Sequence, residues 1–225
     1  MSKNKPSIKH IWFDFAGTLY RETPEFVHVH ESYRYKTYGE VVGISDMEQA
    51  KKEYDQLYQQ YGSNSAVFKH LGKSDNYWQQ AVDSLDRKIF FFPDKEVIGT
   101  LDSLRKIVPI SIYSNFMLSK IQEMLTHLEI PEAYFTYILT GDDIEKRKPA
   151  LDGFYKMIEL SQQKAGRSLA EELPPNQLVY VGDREAVDII PAKNVGMQTV
   201  LLYGNGRKTV ADHSFDSFQE LCSLV

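Results

Sequence analysis

Ile11-Trp12-Phe13-Asp14-Phe15-Ala16-Gly17-Thr18-Leu19 is an apolar run that ends on one carboxylate and turns at once through Gly17-Thr18. A short apolar run bounded by a turn signal reads as a buried strand rather than a helix. In open parallel sheets ligands sit just outside the carboxyl ends of the strands, so Asp14 is aimed where chemistry is usually done. Taken alone, such an Asp also suits a turn or a helix start. Its meaning depends on what recurs downstream.

Beyond Asp14 the pattern changes. From about Thr23 to Phe92 the periodicity is helical, with almost no strand signal. Pro24 opens a segment carrying Phe26, Val27, His30, Tyr33 and Tyr38. A second, Asp46 to Tyr61, carries Met47, Ala50, Tyr54, Leu57 and Tyr61, with Glu48 and Lys52 paired on its wet side. Gly62-Ser63-Asn64 breaks it, and Ser65 to Leu71 and Asn76 to Leu85 resume helix. Strand and helix then alternate. Helix is predicted over Asp94–Lys106, Leu118–Leu128, Pro149 to about Gln163, Asp188–Val195 and from Ser217. Strands are predicted over Val108–Tyr113, Tyr134–Leu139, Leu178–Val181 and Gln198–Leu202, with Ala165–Gln177 a polar loop. Repeated β-α units without hairpin signals imply an α/β fold with a doubly wound parallel sheet. The expected organisation is a Rossmann-like core of residues 1–19 and 93–225, interrupted by an all-helical domain at 20–92. A chain of 225 residues is the right size for one core domain plus an insertion.

Composition narrows the function classes. Hydrophobic residues make up 42% and charged residues 25%, an ordinary globular balance. A net charge of −5 gives no support to a nucleic-acid face. No apolar run reaches membrane-spanning length, and the polar start lacks the apolar core of a secretory signal. The expectation is a soluble cytoplasmic protein, monomer or homodimer, acting on a small molecule. The single Cys222 lies among Phe218, Leu221 and Leu224 at helical spacing and is expected to be a buried thiol.

Three predicted strands end in a polar group after an apolar run: Asp14, Ser114 and Asp183. Lys148 directly precedes Pro149. Parallel strands bring their carboxyl ends to one edge, so these residues can meet although they are far apart in sequence. Two carboxylates with a backbone carbonyl and waters make a hard oxygen site suited to Mg²⁺, which favours a substrate phosphate as partner. Ser114 and Lys148 can hold the remaining phosphate oxygens, and Asp14 can attack phosphorus.

At this point the sequence resembles the haloacid dehalogenase-like (HAD) hydrolases, over nearly the whole chain outside the helical block. Asp14-Phe15-Ala16-Gly17-Thr18 is similar to the family's first motif, Asp-x-Asp-x-Thr. Ser114-Asn115 resembles the second, Lys148-Pro149 the third, and Gly182-Asp183-Arg184-Glu185-Ala186-Val187-Asp188 the fourth. The resemblance implies a phosphatase with Asp14 as nucleophile and Ser114, Asn115, Lys148 and Thr18 around the phosphate. Asp14, the Ala16 carbonyl, Asp183 and Asp188 would surround Mg²⁺, Asp188 acting through water or Lys148. It also implies that the helical block is a mobile cap that selects the substrate.

Ala16 departs from the pattern, because the family's second Asp protonates the leaving oxygen and later activates water. Losing a positioned acid-base removes about 10²–10⁴ in rate. Three readings remain open. One is a weakened or specialised phosphatase for a small phosphorylated metabolite, such as a nucleotide or sugar phosphate. Another is a relative of phosphonoacetaldehyde hydrolase, whose first motif resembles Asp-x-Ala-Gly-Thr and which uses a cap lysine; Lys36, Lys51 and Lys52 are on offer. The third is an inactive protein that binds Mg²⁺ and a phosphorylated ligand. The cap tyrosines are expected mainly to pack, at least one of His28 and His30 to be a surface residue, and Asp142-Asp143 to be a solvated loop.

Overall fold

β1 (His10–Phe13) is buried on both faces and has a parallel neighbour on each side, β2 (Ile110–Tyr113) and β4 (Leu178–Gly182). The computed structural model describes residues 7–165 and 173–225. Its sheet is completed by β3 (Ile138–Leu139), β5 (Gln198–Leu202) and β6 (His213–Phe215) in the order β3-β2-β1-β4-β5-β6, with every pair parallel. Central parallel strands are covered on both faces, which is why they read as continuous rather than alternating apolar runs. From β1 the chain builds outward to β2 and β3. It then returns to the other side of β1 to start β4. The order therefore reverses between β1 and β4, and the crevice beyond their carboxyl ends is the place where such sheets take ligands.

The described chain divides between Arg21 and Glu22 and again between Phe91 and Phe92 into two compact units. The smaller unit holds α1 (Pro24–Val42), α2 (Met47–Tyr61), α3 (Asn64–His70) and α4 (Tyr77–Asp83). Local chemistry sets the ends of these helices. The Thr23, Asp46 and Ser63 side chains accept from the Phe26, Gln49 and Ala66 N–H groups, and Gly43 and Gly62 close α1 and α2 in the left-handed region. Their apolar faces meet in a cluster of Tyr35, Tyr38, Ala50, Tyr54, Val67, Phe68, Trp78 and Val82.

The sheet unit adds α5 (Lys95–Arg105), α6 (Leu118–His127), α7 (Asp152–Lys164) and α8 (Ile190–Asn194). Several expected boundaries shift. Helix α7 begins at Asp152, three residues beyond Pro149, whose bond to Lys148 is cis. The strand expected over Tyr134–Leu139 is only Ile138–Leu139, after a 3₁₀ turn at Glu132–Tyr134. Strand β6 gave no sequence signal, and its three residues are too short to show alternation. Residues 166–172 of the predicted polar loop lie outside the described residues, and Pro175–Gln177 forms a 3₁₀ turn.

Cys222 is exposed, not buried. The closing helix is 3₁₀, Phe218–Leu224, with about three residues per turn. That pitch puts Phe218, Leu221 and Leu224 on one line and turns the neighbouring Cys222 outward. Among the described residues no helix is long and apolar enough to cross a membrane.

Candidate active site

Asp14 lies immediately beyond β1, with its N–H still bonded to the Val181 carbonyl at 2.8 Å, so its position is an extension of the sheet ladder. The chain then turns tightly, the Thr18 and Leu19 N–H groups both donating to the Phe15 carbonyl. Gly17 takes φ +81° in that turn, and a Cβ there would collide with the Asp183 carboxylate. Only glycine lets the turn after β1 rest on the residue that follows β4.

Asp188 arrives differently. The Asp188 and Ile189 N–H groups both donate to the Arg184 carbonyl, the second across five residues, which makes a wide π-type turn at Glu185–Ile189. Such widened turns recur at functional sites. This one carries a fully buried Asp188 inward, its side chain filling the space that a Gly182 Cβ would occupy.

Lys148 joins the two strand ends. Its Nζ donates to Asp14 Oδ1 at 2.6 Å, to Asp188 Oδ1 at 2.8 Å and to the Tyr180 hydroxyl at 2.9 Å. An ammonium has three protons, and all three are used. Tyr180 escaped the sequence reading. It sits in a strand buried throughout, which marks it only as a core residue, and its hydroxyl is buried with Asp188 Oδ1 at 3.3 Å and the Tyr113 carbonyl at 3.4 Å.

The other expected site residues divide. Asn115 Oδ1 accepts from the Lys148 N–H at 2.9 Å, and its Nδ2 donates to the Lys148 carbonyl at 3.1 Å. Its side chain thus clamps the Lys148 backbone across the sheet edge. Ser114 is buried at the end of β2 and accepts from the Phe116 N–H at 3.3 Å. The buried Thr18 Oγ1 has no hydrogen-bond partner among the described residues. Neither hydroxyl bonds to the three carboxylates. Ala16 is half-buried in the turn and pairs with Tyr20 in a short parallel bridge.

One carboxylate oxygen from each of Asp14, Asp183 and Asp188 lies within 4.8 Å of the others. Burial pushes the Asp14 carboxyl above its usual range, opposed by Lys148 and Arg184. Burial also pushes the Tyr180 hydroxyl far up, assisted by Asp188 and Asp14, so it stays protonated. Burial works against the Arg184 charge, but Asp188, Asp14 and Asp183 outweigh it and hold the guanidinium above its ordinary value.

A divalent cation suits this donor set. It is all oxygen and strongly anionic, and the buried Asp14 Oδ2 has no hydrogen-bond donor. Hard oxygen ligands with room for water and phosphate are what Mg²⁺ selects.

The sequence matches the model of the haloacid dehalogenase-like hydrolase family over residues 11–202. The chain belongs to this family. A glyceraldehyde 3-phosphate phosphatase of Methanocaldococcus jannaschii is 27% identical across 97% of each chain. Among solved structures, a HAD phosphatase from Thermococcus onnurineus superposes with a TM-score of 0.66 at 22% identity, covering 96% of this chain and 97% of that one. The magnesium-bound HAD-hydrolase YfnB from Bacillus subtilis gives 0.61 at 14% identity, covering 97% and 98%. This HAD member is therefore a hydrolase with the family's α/β core.

The remaining candidates are surface or packing groups. Lys36, Lys51 and Lys52 are exposed, Lys36 pairing with Glu40 at 3.9 Å. A Schiff-base lysine is normally desolvated or set beside another cation so that its amine is free, and none of these three is desolvated. His28 is exposed, and His30 packs against Phe26 and Trp78. Asp142 accepts from the Leu118 N–H at the start of α6, and Asp143 binds both the N–H and the hydroxyl of Thr140. Asp143 shapes its own turn, and Asp142 holds the first turn of a distant helix.

Proposed function

We propose that the protein is a Mg²⁺-dependent phosphohydrolase for a small phosphorylated metabolite, working through a phosphoryl group carried on Asp14. The observation that carries this reading is the state of Asp14. It is buried at the switch point with one oxygen held by Lys148 and the other without a hydrogen bond, beside two further carboxylates. The phosphatase relative supports a small phosphorylated substrate, and the magnesium-bound neighbour supports the metal.

Asp14, Asp183, Asp188 and the Ala16 carbonyl are the groups that would hold the ion. Bound there, Mg²⁺ offsets the charge of the nucleophile and of the phosphoryl group. Lys148 fixes the rotation of the Asp14 carboxylate and balances Asp188. A carboxylate oxygen of Asp14 forms a bond to phosphorus as the bond from phosphorus to the leaving oxygen breaks. Water then attacks the phosphoryl-aspartate, releasing inorganic phosphate and restoring the carboxylate.

The leaving oxygen needs a proton in the first half and water must lose one in the second. The Ala16 methyl supplies neither service. Aryl and acyl phosphates, whose leaving groups depart without protonation, should outrun alkyl phosphates, and the phosphoryl-enzyme should accumulate.

A panel of aryl, acyl, sugar and nucleotide phosphates, with Mg²⁺ and with chelator, tests this. Intact-protein mass spectrometry should show one added phosphoryl group, lost in the Asp14→Asn variant. Mg²⁺-dependent ligand binding with no product and no adduct over hours would replace the reading with that of a binding protein.

A further inference from the structure

Arg184 stands in an arrangement that neither the motif nor the proposed chemistry explains. Its Nη2 lies 3.7 Å from Asp14 Oδ2, and its Nε lies 3.7 Å from both Asp183 Oδ1 and Asp188 Oδ2. One guanidinium thus faces one oxygen of every carboxylate in the cluster. All three are ion-pair distances, too long for hydrogen bonds. The side chain is 52% exposed, whereas those of Asp14, Lys148 and Asp188 are 2% or less. The inner cation is enclosed and the outer one half-exposed.

Counting donors separates their tasks. Lys148 gives its three protons to Asp14, Asp188 and Tyr180, so any anion it meets must share them. Arg184 commits its backbone N–H to Asp188 Oδ2 at 3.2 Å, which anchors its Cα beside the cluster. Its guanidinium keeps a planar fork of donors suited to two oxygens of one phosphate.

Counting charge gives the direction. Three carboxylates against one ammonium and one guanidinium leave a net negative site. Adding a divalent cation makes the same groups net positive. It also sets a second cation against the oxygens that Arg184 faces, and like charges so placed repel.

We propose that Arg184 is a metal-coupled substrate clamp: counter-ion to the three carboxylates before the divalent ion binds, and donor to the substrate phosphate afterwards. This rests on the metal-dependent reading above and gives the substrate phosphate a second cation beside Lys148.

Calorimetric titration of the wild type, Arg184→Met and Arg184→Lys, first with MgCl₂ alone and then with inorganic phosphate at saturating Mg²⁺, tests it. Removing the competing charge should tighten Mg²⁺ binding about five- to tenfold in Arg184→Met. Phosphate should bind at least about tenfold more weakly to the same variant. Arg184→Lys keeps the charge and should hold the wild-type Mg²⁺ affinity while losing part of the phosphate affinity. Circular dichroism verifies that each variant is folded, and the half-exposed position makes both tolerable. Unchanged or weaker Mg²⁺ binding in Arg184→Met, or unchanged phosphate binding, overturns the clamp. If the wild type binds Mg²⁺ and the Met variant matches it, only the clamp falls; if the wild type binds no divalent ion, the metal-dependent reading falls and the clamp with it.

Discussion

The two units solve the problem of buried aromatic hydroxyls in opposite ways. In the helical unit Tyr35, Tyr38 and Tyr54 pack their rings together at centroid separations of 5.5–5.8 Å. Their hydroxyls leave the cluster to reach Asp55, Glu53 and Asn64. In the sheet unit the Tyr180 ring packs on Phe154 at 5.2 Å, but its hydroxyl turns inward to a sealed group of charges. The first arrangement is ordinary packing with polar tips at the rim. The second gathers charges that are costly to desolvate and are compensated only while every partner is present. A cluster of this cost at a strand-order reversal is the observation that supports the proposed site there. The helical unit holds no such cluster among its described residues.

That contrast can be broken most sharply at Asp14. Asp14→Asn should cost about 10⁴-fold or more in phosphate release, while an exposed helical-unit change such as Lys36→Met leaves the rate where it was. Ala16→Asp should raise turnover on alkyl phosphates by about 10²–10⁴ and shorten the life of the phosphoryl-enzyme. A flat response in rapid-quench assays would show that the missing acid is not what limits the chemistry.

The paired tyrosines sharpen the comparison at the level of stability. Tyr180→Phe strips Lys148 of a buried acceptor and should cost about 2–3 kcal/mol by urea denaturation, whereas Tyr54→Phe gives up one hydrogen bond to Asn64 for about 1 kcal/mol. Equal losses would erase the distinction between inward and outward hydroxyls.

Acid should then affect both units with the same sign. His10 is buried against Ser111 and Trp12. Burial, with Lys164 nearby, lowers its pKa to about 3 from an ordinary 6.5, and burial with Arg87 and Arg34 lowers that of His30 to about 4. Below 6.5 the unfolded chain takes up protons that the folded chain refuses. The stability is therefore complete above that value and drains as pH falls toward the folded-state pKa. For His10 the loss should reach about 2 kcal/mol near pH 5. Denaturation midpoints should fall between about pH 7 and pH 5, and less steeply in His10→Asn. The smallest expected effect is the absence of any borohydride-trapped adduct with phosphonoacetaldehyde, since Lys36, Lys51 and Lys52 stand in solvent.

Several site elements were legible before any coordinates because their signals are local. An apolar run ending on Asp14, another ending on Gly182-Asp183, and a lysine ahead of a proline each announce themselves within a few residues. What stayed hidden depends on distant partners or on helix pitch. The Asn115 amide is held at both ends by the Lys148 backbone, far along the chain, and no local pattern shows it. Cys222 looks buried at α-helical spacing, and a 3₁₀ pitch turns it outward.

By itself the sequence determined the fold class and the edge of the sheet at which the polar strand-end residues gather, because burial period and turn chemistry are properties of neighbouring residues. Alternating β and α segments leave a parallel sheet little choice about where its strand ends gather. Only the tertiary structure decided that Tyr180 completes the coordination of Lys148, that a π-type turn drives Asp188 inward, and that Arg184 faces all three carboxylates. Those relations depend on the register between strands far apart in the chain, and on the low-dielectric interior that makes each unpaired charge too costly to leave alone.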